Sequence, residues 1–144
     1  MLNRFSPKIT NWKIPGTRLS IQGHSCGGSA TSFYVPELDW NFDAGLIHNQ
    51  KPVKVLCTHS HADHSFQLPY FLRRAAPPVE IFIPREAVES LRVFITSSQW
   101  LNDPDKHDDG SSKYSLRGVS PGETIDADAG HVVRVVACNH SVPC

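Results

Sequence analysis

The chain lacks any net formal charge, with 14 Lys and Arg against 14 Asp and Glu in 144 residues. A neutral protein sets up no long-range field to gather polyanions, so nucleic-acid binding would have to come from a local patch or from sequence outside this chain. Long apolar runs are missing too. None approaches the roughly 20 consecutive residues that cross a bilayer, and Met1-Leu2-Asn3-Arg4-Phe5 has no apolar core of a secretory signal. Cysteine is scarce: Cys26, Cys57, Cys138 and Cys144 form no C-x-x-C pair, which excludes a small disulfide-stapled secreted domain. Cys57 and Cys138 fall in expected strands and read as small buried apolar residues. No acidic residue precedes Glu37, and no internal repeat is present. These absences point to a cytoplasmic setting without a membrane. Nucleus, mitochondrion and plastid stay open, because an acid-free, basic start is compatible with a transit peptide.

With 40% hydrophobic residues the chain can bury one modest core. Alternating or β-branched segments at 19–23, 32–35, 38–42, 53–57, 79–83, 114–119, 123–125 and 131–137 predict strands. Helices are expected over 66–74, where Pro69 suits an early turn, and over 85–94, where Val88, Leu91 and Phe94 share a face. Strands alternating with helices indicate a layered α/β domain over residues 19–144. Residues 1–18 read as a basic N-terminal extension. There Arg4, Lys8, Lys13 and Arg18 interleave with Phe5 and Trp12, which suits either an arm that holds phosphates and stacks bases or an ordinary solvated segment. The polar stretch 102–112 is a solvated loop, since Pro104 and Gly110 fragment its Asp and His content and no spacing repeats.

One segment constrains chemistry far more tightly. Thr58-His59-Ser60-His61-Ala62-Asp63-His64 packs three imidazoles and a carboxylate behind the apolar strand Val53-Lys54-Val55-Leu56-Cys57. Imidazole and carboxylate suit zinc and its first-row neighbours, and alternation along an extended segment lets His59 and His61 converge on one ion. Small Ser60 and Ala62 leave room for the ion and its water. Asp63 and His64 are then free to face a second ion. A four-coordinate catalytic zinc takes three protein ligands, and His140, just past the strand 131–137, is the third candidate. His24, His48, His107 and His131 read as satisfied core or surface residues. Asp63 is also the candidate catalytic residue, placed to orient or deprotonate an attacking water.

His59-x-His61-x-Asp63-His64 followed by the distant His140 resembles the metal signature of the metallo-β-lactamase fold. More narrowly, Asn41-Phe42-Asp43-Ala44-Gly45, the cluster, Leu68-Pro69-Tyr70-Phe71-Leu72-Arg73-Arg74, Ile81-Phe82-Ile83-Pro84, Pro121-Gly122-Glu123-Thr124 and His140-Ser141-Val142-Pro143 recur in that order in ribonuclease Z, the tRNA 3′-processing endonuclease. Order and spacing are most similar to the short plant-type branch, with Gln67 standing where relatives commonly have glycine. The resemblance implies the N-terminal αβ half of an αββα sandwich, with a mixed, mostly antiparallel sheet. It also implies two Zn2+ ions in the complete domain, Mn2+ or another divalent ion being compatible with the same donors, and a pre-tRNA substrate. Asp43 would sit beneath the metals and orient their ligands; the alternative is that it only makes an Asp-x-Gly turn.

The family's remaining aspartate and histidine come from the second half of the domain, and this chain stops four residues after His140. The expectation is therefore an incomplete site that needs a C-terminal half or a homodimer partner. Two other functions compete: another hydrolase of the same fold, such as a thioesterase or lactonase, and a metal-binding paralogue without turnover.

Overall fold

The computed structural model describes residues 8–46, 49–73, 77–102, 113–127 and 130–142. The chain opens as a meander, in which β1 (Thr10–Lys13), β2 (Ser20–Cys26), β3 (Ala30–Val35) and β4 (Trp40–Phe42) pair antiparallel in sequence order. Three parallel strands follow: β5 (Lys54–Leu56), β6 (Val79–Pro84) and β7 (Tyr114–Val119). Parallel neighbours cannot be joined by a tight turn, so their connections carry helices. α1 (Ala62–Ser65) and α2 (Leu68–Leu72) lie between β5 and β6, and a 3-10 turn (Arg85–Ala87) runs into α3 (Val88–Asn102) before β7. A separate hairpin of β8 (Thr124–Ala127) and β9 (His131–Arg134) closes the described part. Among the described residues four of the seven strand pairings are antiparallel, giving the mixed, layered α/β architecture expected of an αβ half.

The period of two in the strands decides which side chains meet the helices. On one face Val55, Val79, Ile81 and Ile83 pack beneath Leu68, Leu72, Leu91 and Ile95. Each such side chain contributes about 1.5–3 kcal/mol by leaving water. The other face carries Trp40, Leu56, Phe82 and Val119, covered by Ile125 and partly by Val133 and Val135 of the hairpin. Trp12, at the sheet edge, remains 46% exposed.

Local departures from the expected pattern have identifiable causes. Thr10–Lys13, inside the segment read as a basic extension, is the edge strand of the sheet, because its main chain pairs with Ser20–Gly23. β2 runs on to Cys26 instead of breaking after 23. α3 continues to Asn102, and its buried stripe is Leu91 and Ile95, with Phe94 36% exposed. β9 ends at Arg134, so Cys138 lies beyond the strand and is exposed, contrary to its reading as a core residue; Cys57 is buried as expected. Burial pushes the Cys57 thiol far up. Residues 103–112 of the polar stretch, and His48 and His107, lie outside the described residues.

The turn after β4 is held by close approach. Ala44 N–H donates to the His64 carbonyl at 2.6 Å and Gly45 N–H to the Thr31 carbonyl at 2.9 Å. A Cβ on Gly45 would stand 1.7 Å from the Asp63 carbonyl oxygen and 2.8 Å from the Thr31 nitrogen. Gly45→Ala is expected to destabilise the fold by at least about 2 kcal/mol, as overpacking against immobile backbone does. Gly27→Ala, with nothing within 4 Å of its Cβ, should be near neutral. Urea unfolding of both variants checks this, and equal midpoints would refute it.

Candidate metal centre

The candidate residues gather where the parallel strands end. β4 and β5 run side by side with Phe42 level with Leu56, so the loops that follow them leave the sheet together. Asp43 N–H donates to the Leu56 carbonyl at 3.0 Å and Cys57 N–H to the Phe82 carbonyl at 2.8 Å, which carries the ladder to the edge of the site. Asp43 then turns sharply with φ of 61°, a left-handed conformation that Asp tolerates better than most residues but that still costs about 1 kcal/mol. Its carbonyl accepts from the Asn41 amide and, at 3.4 Å, from Ser32 Oγ, both buried.

The turn aims the Asp43 carboxylate up under the histidines. Oδ1 accepts from Thr58 N–H at 2.8 Å, Thr58 Oγ1 lies 3.0 and 3.1 Å from the two carboxylate oxygens, and His64 Nδ1 is 2.8 Å from Oδ2. Thr58 Oγ1 also lies 2.9 Å from His59 Nδ1. A hydroxyl has one proton, and an ionised carboxylate can only accept, so that proton goes to Asp43 and the hydroxyl oxygen accepts from His59 Nδ1–H. His64 likewise donates its Nδ1–H to Asp43. One carboxylate therefore sets both rings in the tautomer whose bare nitrogen is Nε2, the arrangement that metal-binding imidazoles use. Asp43 thus makes the turn and, in the same residue, hydrogen-bonds to Thr58 and His64 beneath the cluster.

Three imidazoles come together above this base. The candidate ligand atoms of His59, His61 and His140 all lie within 4.8 Å of one another. Ring centroids are 4.9 Å apart for His59 and His61, 4.4 Å for His59 and His140, and 4.9 Å for His61 and His140. His59 is only 8% exposed. Burial, helped by the neighbouring His64 and His140, pushes its pKa below the ordinary histidine value, which keeps the ring neutral and its lone pair available. Borderline nitrogen donors in this number and proximity fit a first-row divalent ion.

Asp63 and His64 lie on one turn of helix, α1, instead of continuing an extended segment; His61, just before it, keeps an extended backbone. His64 packs against His59 with ring centroids 3.9 Å apart, and its Nε2 stands 3.5 Å from Asp63 Oδ2. Asp63 Oδ2 also accepts from Gly28 N–H at 2.9 Å. Desolvation raises the Asp63 pKa, but the Gly28 hydrogen bond and the adjacent histidines outweigh it and hold the carboxyl below its ordinary value. Sequence reasoning assigned no role to Thr58 or Gly28. Thr58 adjoins the cluster and offers a signal in its hydroxyl, whereas Gly28 lies far from it in sequence and carries no side chain to signal a role. His131 stands edge-on to Trp40 with centroids 6.4 Å apart, and its Nδ1 is buried without a hydrogen-bond partner, contrary to its reading as a satisfied residue.

A cavity of about 420 Å³ opens beside the histidines, between the sheet and the β8–β9 hairpin. Phe42, Leu56, Phe82, Val119, Ile125 and Val133 line its apolar wall, and His59 and His140 stand at its rim. A layered α/β sheet with two imidazoles just past one of its strands and a third brought in from beyond the hairpin defines a candidate metal-binding protein. The chain is similar to tRNase Z TRZ2, chloroplastic, of Arabidopsis thaliana, with 27% identity over 130 residues, 86% of this chain. It spans 35% of that relative's length. No protein-family model matches the chain. Among the described residues no helix is long and apolar enough to cross a membrane.

Removing the base of the site should be felt by the metal. Asp43→Ala is expected to lower affinity for Zn2+ roughly 10- to 100-fold, the usual consequence of losing a group that orients ligands. Competition titration against a chromophoric chelator measures it, and an unchanged affinity would deny Asp43 that role.

Proposed function

We propose that this chain carries the N-terminal part of a metal-dependent phosphodiester hydrolase, an endoribonuclease of the ribonuclease Z type that removes 3′ trailers from pre-tRNA. The observation that carries the reading is the convergence of His59, His61 and His140 over a loop anchored by Asp43. Similarity to a tRNase Z supports the substrate class. In this reading His59, His61 and His140 hold one Zn2+, while Asp63 and His64 contribute to a second in the complete domain; Mn2+ or another divalent ion suits the same donors. Such ions supply Lewis acidity, neutralising charge that builds on a phosphoryl oxygen and lowering the pKa of water.

The chain's own residues do the positioning. Asp43 and Thr58 fix the imidazole orientations, and Asp63, steadied by Gly28 N–H, orients the attacking water and takes its proton. In this reading the chain carries the first αβ half of the proposed domain, its sheet beginning with β1 at Thr10, and a C-terminal half or a second copy completes the site. Exposed Lys8, Lys13 and Arg18 near Trp12 supply the local positive charge that a neutral chain needs to meet RNA. The proposed setting is the cytoplasm, with the plastid next, as the relative is named chloroplastic.

A second reading is favoured by the apolar cavity at the rim of the site, whose volume suits an acyl group: a thioesterase or lactonase using the same histidines. One set of assays separates the two. The longest product containing this chain is expected to cleave pre-tRNA bearing a 3′ trailer, to lose that activity to a chelator, and to regain it with Zn2+. Asp63→Ala should slow cleavage roughly 10²- to 10⁴-fold, the scale of general base catalysis. Turnover of acyl thioesters or lactones alone would transfer the assignment to the second reading, and metal binding without any turnover would make the chain a metal-binding paralogue.

A further inference from the structure

His140 reaches the site by a different route from the other two imidazoles. His59 and His61 follow β5 directly, whereas His140 lies six residues beyond the end of β9, in a segment without strand structure. A two-stranded hairpin is marginal alone, and the apolar packing of Ile125, Val133 and Val135 against Leu56 and Phe82 is non-directional, so it does not fix the hairpin's angle on the sheet.

The directional contacts converge on Glu123. Its main chain is paired with the start of the segment that leads from β9 to His140, since Val135 N–H donates to the Glu123 carbonyl at 2.9 Å and Gly122 N–H donates to the Val135 carbonyl at 3.0 Å. Its side chain is tied to the sheet. Oε1 accepts from Arg85 Nη2 at 2.9 Å and from Ser120 N–H at 2.9 Å, and Oε2 lies 3.8 Å from Arg117 Nη2. Arg85 Nε donates to Ser120 Oγ at 3.0 Å as well. Arg85 directly follows β6, the strand whose Phe82 carbonyl receives the Cys57 amide two residues before His59. Hydrogen bonding to Arg85, against partial desolvation, holds the Glu123 carboxyl below its ordinary range, so it is charged when it meets the two guanidinium groups.

We propose that Glu123 is a positioning residue for the metal site, its carboxylate clamping the segment that leads to His140 to the ends of β6 and β7, beside the strand that delivers His59. The consequence for metal binding rests on the proposed function, but the placement of the ring does not. Exposed ion pairs of this kind contribute little to stability, so a loss of register without a loss of fold is the signature that separates positioning from a merely structural role.

The test uses the full chain. In the metal-free protein the His59 and His140 rings, with centroids 4.4 Å apart, should give an inter-ring NOE, as should His59 and His64 at 3.9 Å. Glu123→Ala is expected to abolish the first and retain the second, with an unchanged melting temperature and a Co2+ affinity reduced roughly tenfold, at the lower end for loss of an orienting group. Glu123→Gln, which keeps an acceptor for Arg85 and Ser120, should restore most of both signals. Persistence of the His59–His140 NOE in Glu123→Ala would overturn the proposal. Should Glu123→Ala unfold, Arg85→Ala, which leaves the Ser120 amide on Glu123, decides by the same NOE. Failure of the wild-type chain to bind Co2+ would count against the proposed function alone, because the NOE comparison needs no ion.

Discussion

The Asp43 carboxylate is the fixed point of this molecule. It receives Thr58 N–H directly, aligns the Thr58 hydroxyl beneath His59 Nδ1, and accepts from His64 Nδ1, contacts that leave Nε2 of both rings bare. A buried carboxylate accepting several hydrogen bonds leaves little freedom in its donors, since turning any ring would strand a polar group out of reach of water. The left-handed turn at Asp43 and the absence of a side chain at Gly45 serve the same end. They press the loop after β4 against α1 until Ala44 and Gly45 share hydrogen bonds with His64 and Thr31.

That fixed point depends on the change of sheet direction. The first four strands form an antiparallel meander, yet β4 and β5 are parallel, so both point their C-terminal ends at the same region. Open α/β sheets place ligands at such strand ends because the loops leaving adjacent parallel strands face one another. Here those loops bring Asp43 and the His59–His64 run together. The core on the helix side, built on Ile81, Ile83, Leu72 and Ile95, makes this frame stiff enough to hold rings near one another. The opposite face has its own cover in the β8–β9 hairpin, which leaves Trp12 and a cavity beside the histidines accessible.

Much of the strand pattern was legible because burial on two sides imposes period two. Val79, Ile81 and Ile83 read as a strand and are one, and the cluster itself stood out because three imidazoles behind a strand serve no packing purpose. The misread positions share a cause. Cys138 lies in an apolar-looking run but beyond the last ladder pair, and Thr10–Lys13 looks like a solvated arm until its main chain finds β2. Main-chain pairing leaves no trace in side-chain chemistry, so neither the end of β9 nor the beginning of β1 could be read from composition.

The amino-acid sequence alone determined the candidate donors, His59, His61, Asp63, His64 and His140, and a layered α/β frame to carry them. Tertiary structure decided how those donors are used. Gly28 reaches Asp63 across 35 residues, Asp43 reaches His64 across 21, and Arg85 reaches Glu123 across 38. The physical reason is separation along the chain: ligand type is a property of each residue, whereas tautomer, orientation and proximity belong to contacts between segments that only the folded backbone brings within hydrogen-bonding distance.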